Sequence, residues 1–278
     1  MATSLITRTT VVDTDALRVE LLRCRLGREP IESYTTARQV LLPLGGAFHW
    51  QIGRTERFVD GNQVAFIADD EVSRDSHPIP TVVTCLLISV PAPTAQLLWS
   101  TGGPADPFRL RTALASSRLQ ASYAWYAAAA RSRGAVEPLV WEEHAIELLG
   151  MATACARRTS SEPSPGAAGR LAARAKRLLG DRDRPLALTA VAATLGVSPT
   201  YLTDAFRRAE GIPLVRYQLR LRLLRALAEL PHAGDLTALA LDLGFASHSH
   251  FSTAFRAAIG MTPSQYRERA RCGVQLPG

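Results

Sequence analysis

Between Glu32 and Val90 apolar and polar residues alternate in short runs, RQVLLPL, FHWQIG, RTERFV, QVAFIA and VVTCLLISV. Gly45-Gly46 and Asp60-Gly61-Asn62 punctuate them. A period of two bounded by such turns predicts β-strands, here an all-β unit of barrel or sandwich form. After Pro107 the pattern changes. FRLRTALASSRLQASYAWYAAAARSRG and WEEHAIELLGMATACARR carry apolar residues at helical spacing and predict two helices, over 107–133 and 141–158, joined by a turn at Gly134. Their apolar faces include Leu114, Trp125, Leu148 and Leu149. That is more surface than a lone helix pair hides, so contact with a second copy of the chain is expected. Periodicity is lost in TSSEPSPGAAG, dense in Ser, Pro and Gly, which marks a linker over 159–169 between domains 1–158 and 170–278.

The second domain reads as helical and contains an internal repeat. LTAVAATLGV from Leu188 aligns with LTALALDLGF from Leu236 at an offset of 48, matching Ala192 with Ala240 and Gly196 with Gly244. One inserted residue then shifts the offset to 49, which pairs Ser198 with Ser247, Phe206 with Phe255, Arg207 with Arg256, Gly211 with Gly260 and Tyr217 with Tyr266. Each copy has the parts of a helix-turn-helix. The small alanine lets a second helix pass close, the glycine ends the first helix in a left-handed conformation, and the serine caps the next one. VRYQLRLRLLRALAEL, from Val215 to Leu230, predicts a continuous helix joining the copies, long enough to set two reading helices about one DNA turn apart.

Charge sharpens this division. The 278 residues carry a net +7, but residues 170–278 hold sixteen Lys and Arg against eight Asp and Glu, whereas residues 1–169 are within one charge of neutral. A basic half joined to a neutral one is the asymmetry expected when one half meets a polyanion. The four cysteines, Cys24, Cys85, Cys155 and Cys272, show no CxxC pairing, which argues against a disulfide framework or a zinc site. No apolar run approaches the ~18–20 residues of a membrane span, and the N-terminus has no secretory pattern, so a cytoplasmic protein without membrane contact is expected.

Outward positions of the two second helices carry short polar residues flanked by arginine: Thr200, Thr203, Asp204, Arg207 and Arg208 in one, Ser249, His250, Ser252, Thr253 and Arg256 in the other. Short side chains permit close approach in a major groove, and arginines reach phosphate or guanine. Gly244-Phe245, Ser249 to Phe251, Phe255-Arg256, Gly260, Thr262-Pro263 and Tyr266-Arg267 resemble the C-terminal DNA-binding domain of AraC/XylS-type bacterial transcription regulators. The first copy adds Ser198-Pro199, Tyr201-Leu202, Phe206-Arg207, Gly211, Tyr217, Arg222-Leu223 and Ala226.

The resemblance covers residues 170–270 and implies base and phosphate contacts from the two outward rows. Asp204 departs from it, standing where the family often has a basic or amide side chain. An acid is repelled by phosphate but accepts from cytosine N4. By domain order the resemblance also implies a cupin-like barrel with a helical pair in the N-terminal half, hence an α+β chain ending in an all-α domain with two helix-turn-helix units on a long helix. The partners it implies are promoter DNA, a homodimer mate, a small-molecule effector and RNA polymerase. His49 and His77 are the effector-binding candidates.

Other classes fare worse. A cupin oxygenase needs an HxH pair with further Glu and His ligands, and residues 1–169 offer only isolated His49, His77 and His144. An alkyl-transfer DNA repair protein needs a compact cysteine cluster near its N-terminus, and a purely architectural DNA binder has no use for a neutral 169-residue half. The expectation is a regulator with no catalysis, metal or cofactor.

Overall fold

The computed structural model describes residues 6–53, 55–77, 81–99, 106–131, 138–159, 166–180 and 186–272. The chain divides into two compact units, 1–160 and 161–278.

The first unit opens with nine strands: β1 (Ile6–Asp13), β2 (Arg18–Leu26), β3 (Ile31–Thr35), β4 (Arg38–Gly45), β5 (Ala47–Ile52), β6 (Thr55–Asp60), β7 (Gln63–Ile67), β8 (Glu71–Ser76) and β9 (Thr81–Val90). Helices α1 (Ala92–Leu98) and α2 (Pro107–Leu110), strand β10 (Thr112–Leu114), and helices α3 (Ser117–Arg131) and α4 (Pro138–Arg158) follow. The strands form two antiparallel sheets, ordered β1-β2-β9-β4-β7-β10 and β3-β8-β5-β6. The pairing is nested: β5 with β6, β4 with β7, β3 with β8 and β2 with β9. This is one long hairpin rolled over on itself, the jelly-roll topology of cupins. Leu22, Leu26, Phe48, Trp50, Val59, Ala65, Ile67, Val83, Cys85 and Leu87 fill its interior.

Three expectations change here. The strand-rich region starts earlier, with β1 and β2, because β2 needs both β1 and β9 as hydrogen-bonding neighbours. The helix expected from 107 is interrupted: Arg111 takes a left-handed φ of 65°, its carbonyl accepts from Phe66 N at 2.8 Å, and β10 pairs with β7, covering what would be an open edge. The third concerns the apolar faces expected to meet a partner. Trp125, Leu148 and Leu149 are buried within the chain, and Leu114 is partly buried. Trp125 stacks on His144 at 5.0 Å, and Tyr126 meets Trp141 edge-on. Tyr123 and Gln120 of α3 reach back to hydrogen-bond the Gly61 carbonyl of the β6–β7 turn. The helices thus spend these faces on each other and on the sheets, and the exposed apolar residues of α4 are Leu139, Val140 and Ile146.

The second unit holds α5 (Ala167–Gly180), α6 (Leu188–Leu195), α7 (Pro199–Glu210), α8 (Leu214–Glu229), a 3-10 turn at Leu230–His232, α9 (Leu236–Asp242), α10 (His248–Ile259) and α11 (Pro263–Cys272). α5 begins inside the stretch read as linker, so 167–169 are helical. Pairs α6–α7 and α9–α10 are the two helix-turn-helix copies. α8 connects them over 16 residues, roughly 24 Å at 1.5 Å per residue. Leu214, Tyr217, Leu223, Leu224, Ala226 and Leu227 form its buried side, with Leu219 half-buried.

Candidate nucleic-acid interface

The turns are built alike because the same local chemistry recurs. Gly196 and Gly244 have φ of 70° and 76°, where a side chain would be strained. Beyond them Val197 N donates to Ala192 O at 3.0 Å and Phe245 N to Ala240 O at 2.9 Å, closing the first helix of each copy. Ser198 Oγ then accepts from Tyr201 N at 3.2 Å, and Ser247 Oγ from His250 N at 3.1 Å, capping α7 and α10. Leu202, Ala205 and Phe206 bury one side of α7; Phe251 and Phe255 bury the same side of α10.

The opposite faces match position for position. Thr200, Thr203, Asp204 and Arg207 are spaced i, i+3, i+4, i+7 along α7, and Ser249, Ser252, Thr253 and Arg256 repeat that spacing on α10. Thr200, Asp204, Arg207, Ser249, Thr253 and Arg256 are exposed, as are the flanking Arg208 and His250. Thr203 and Ser252 are half-buried and locally engaged. Thr203 Oγ1 donates to Pro199 O at 2.9 Å, and Ser252 Oγ lies 3.4 Å from His248 Nε2. Asp204 Oδ1 lies 3.9 Å from Arg207 Nη2 with both side chains more than half exposed, a pair too well solvated to resist exchange for another partner. His250 leans edge-on against Phe245 at 5.5 Å. The rows begin at helix N-termini, whose free N–H groups and dipole favour an anion.

Several residues have surroundings that the sequence alone does not show. Tyr201 is exposed on the first turn of α7, where the second copy has His250. Not all the positive charge of this unit is free for DNA. Lys176 pairs with Glu210 at 3.2 Å with both side chains largely buried. Arg267 and Arg271 donate to the Ala233 and Pro231 carbonyls after α8. Arg222 of α8 donates to the Gly244 carbonyl at 3.0 Å, and burial pulls its guanidinium below the usual arginine range.

In the first unit His49 and His77 do not converge. His49 faces away from the interior, with Nδ1 2.8 Å from Glu56 Oε1. Register pairs it with Ser76, which leaves His77 on the opposite face, buried. The inner face also carries Asp75, directly across from Trp50, as Arg57 is on Trp50's other side. Asp75 Oδ1 and Arg57 Nε are buried without hydrogen-bond partners, and burial pushes the Asp75 carboxyl up to about 7. Among the described residues no three His, Cys, Asp or Glu side chains come together as a metal site, and no helix is long and apolar enough to cross a membrane.

Two capped helices, each preceded by a tight glycine turn and presenting a polar row, define a double helix-turn-helix domain of the DNA-binding type. Known proteins agree. A family described as "Helix-turn-helix domain" matches residues 191–269. The regulatory protein SoxS of Salmonella typhimurium is 39% identical over 88 residues, which are 31% of this chain and 82% of SoxS. The transcriptional activator RhaR of Klebsiella pneumoniae is 32% identical over 98 residues, 35% of each chain, so the match spans about a third of RhaR. Among solved structures, an AraC-type regulator from Chromobacterium violaceum is 29% identical over 36% of this chain and 92% of its own, with a TM-score of 0.34. The chain belongs to the AraC family of helix-turn-helix transcription regulators.

Proposed function

We propose that residues 170–278 read two successive major grooves on one face of duplex DNA, and that this reading is controlled from residues 1–158. α10 reads bases through Ser249, Ser252, Thr253 and the flanking His250; α7 does so through Thr200, Thr203 and Asp204. Arg207, Arg208 and Arg256 grip phosphate. The observation that carries this reading is the repeated row: two serine-capped helices with exposed short polar residues in identical register, each ending on an exposed arginine. Short hydroxyl side chains let a helix approach base edges, and arginines a turn further along meet the backbone.

Residues 1–158 serve as the effector-binding and dimerisation domain, followed by a linker that ends where α5 begins at Ala167. A small-molecule effector is received on the inner face of the barrel, where Asp75 supplies the polar chemistry that His49 and His77 do not bring together. A homodimer forms through Leu139, Val140 and Ile146 of α4. RNA polymerase is a further partner, and the protein acts in the cytoplasm without catalysis, metal or cofactor. SoxS and RhaR are described as a regulatory protein and a transcriptional activator, which favours transcriptional control for this chain as well.

Selection of bound duplexes from random DNA by the full chain tests the reading. Enriched sequences with two half-sites about 10 base pairs apart are expected, bound with an affinity that falls steeply with salt. Retention without sequence preference and a flat salt response contradict it.

A further inference from the structure

Arg222 has an unusual position for a cation in a DNA-binding domain. It sits on α8, half-buried, at the point where that helix passes the turn of the second copy. Its Nη1 donates to the Gly244 carbonyl at 3.0 Å, and its Cζ lies 4.6 Å from the centroid of the Phe245 ring. A charge-assisted hydrogen bond and a cation–π contact from one planar group fix both distance and angle, which a lone apolar contact does not. Gly244 and Phe245 are the turn itself.

From that turn the linkage runs on into the reading helix. Phe245 is almost fully buried, packs on Phe251 of α10 at 5.1 Å, and meets His250 edge-on at 5.5 Å. Phe251 lies between Ser249 and Ser252, so the ring that Arg222 holds also sets the rotation of the outward row. The same helix reaches the first copy four residues earlier, where Gln218 Nε2 donates to Leu186 O, just before α6, at 2.8 Å. Residues i and i+4 share a helix face. Two polar side chains on one face of α8 therefore hold one copy each. The ties differ in kind. Val197 stands where the second copy has Phe245, so no ring is present at the first turn to receive a cation.

We infer that Arg222 is a positioning residue for DNA recognition: by tying α8 to the Gly244-Phe245 turn it fixes α10 relative to α7 and so sets the half-site spacing that the protein accepts. The inference rests on the two-groove reading above. Arg222 touches no base in this account; it acts through Phe245 on where α10 can lie. Loss of the tie leaves each helix able to read its own half-site while relaxing the distance between them.

The test uses the full chain and a duplex recovered by wild-type selection from random DNA. Its affinity is compared with that for duplexes having one base pair inserted or removed between the half-sites, and with one whose second half-site is scrambled. Wild type is expected to lose at least about tenfold on a one-base-pair change. Arg222→Met keeps the aliphatic stem without the charge and is expected to lose less than about threefold, with unchanged affinity for the scrambled duplex. Arg222→Lys retains a donor for Gly244 but not the planar stack, and falls between. Arg225→Met, removing a guanidinium held by Glu229 on the same helix at 2.6 Å, keeps the wild-type penalty. Thermal melts identify any variant that has lost its fold; if Arg222→Met has, the lysine variant decides. Equal spacing penalties in wild type and every folded Arg222 variant overturn the inference. Failure of wild type to enrich two half-sites overturns instead the two-groove reading on which it rests.

Discussion

In the first helix-turn-helix copy the outward row of α7 carries an acid and a base within 3.9 Å of each other, Asp204 and Arg207, whereas the matching row of α10 carries Ser249, Ser252 and Thr253 before Arg256. The skeletons are the same: glycine turn, serine cap, phenylalanine core. The rows are loaded differently. α7 is partly neutralised by its own carboxylate, while α10 offers neutral hydroxyls and one free cation's worth of phosphate attraction. The cores differ too: Phe255 has ring partners on both sides, Phe251 and Tyr266, and Phe206 pairs with Tyr217 of α8. A duplicated motif keeps the residues that make it fold, and the differences collect on the surface that meets the ligand. In this reading α10 discriminates bases, and α7 pays attention to one base type through its acid.

The largest effect expected to probe this contrast is in the cores. Phe255→Ala and Phe206→Ala each remove a fully buried ring and are expected to cost about 3–5 kcal/mol, Phe255 at the upper end for its two ring partners. Urea unfolding of the full chain measures both.

Next come the rows. Thr253→Ala is expected to relax preference at one or two base pairs by ~1–3 kcal/mol per lost contact, with little change in non-specific affinity. Asp204→Ala, at the same helical position of the other copy, is expected to relax preference at the one base pair its acid reads and, unlike Thr253→Ala, to free Arg207 for phosphate, raise affinity for all sequences and steepen the salt dependence by about one unit. Titration of specific and scrambled duplexes at several salt concentrations separates the two. If both substitutions act alike, the rows do not differ in function.

A change confined to the first unit sharpens the comparison from outside. The Asp75 carboxyl is raised from 3.8 to about 7 by burial. Between those values the unfolded chain is ionised while the folded one holds its proton, so stability from this group is full in acid, falls as pH rises through that window, and is level above it. Asp75→Asn keeps the shape without the ionisation. It is expected to flatten the pH dependence of melting between about pH 4 and 7, to stabilise the upper end by about 1–3 kcal/mol, and to leave the affinity of α7 and α10 for DNA unchanged. A variant that melts with the wild-type pH slope removes Asp75 from the account.

The smallest effect tests what the copies share. Ser198→Ala and Ser247→Ala each remove a cap accepting one backbone N–H, at 3.2 and 3.1 Å, and are expected to cost about 1 kcal/mol alike. Urea midpoints of the two variants check it, and a clear inequality would show that the caps are not equivalent despite their geometry.

The second unit was legible because its signals are local. Gly196, Ser198, Gly244 and Ser247 do their work within a few residues of where they stand, and an offset of 48 to 49 made the two copies vouch for each other. Arg222 is part of the first copy's motif, but its use depends on a carbonyl 22 residues away, which no periodicity announces. The first unit was harder for the same reason. The nested pairing of β2 with β9 and β3 with β8 is non-local, and β1 and β2 lie outside the run of clear alternation. Leu148 and Leu149 looked available to a partner because the helical period reveals an apolar face and not what covers it; the chain covers it itself. Asp75 sits in a strand whose neighbours Arg74 and Ser76 are polar as well, so nothing in the local composition marks its carboxylate as one that points inward.

Hydroxyl-radical footprinting of the full chain on a selected duplex tests the central claim most directly. Two protected stretches on one face of the DNA, about 10 base pairs centre to centre, are the expected result, with Thr253→Ala and Asp204→Ala altering preference or affinity at different stretches. Protection of a single groove, or of two stretches on opposite faces, contradicts the claim that α7 and α10 read DNA together.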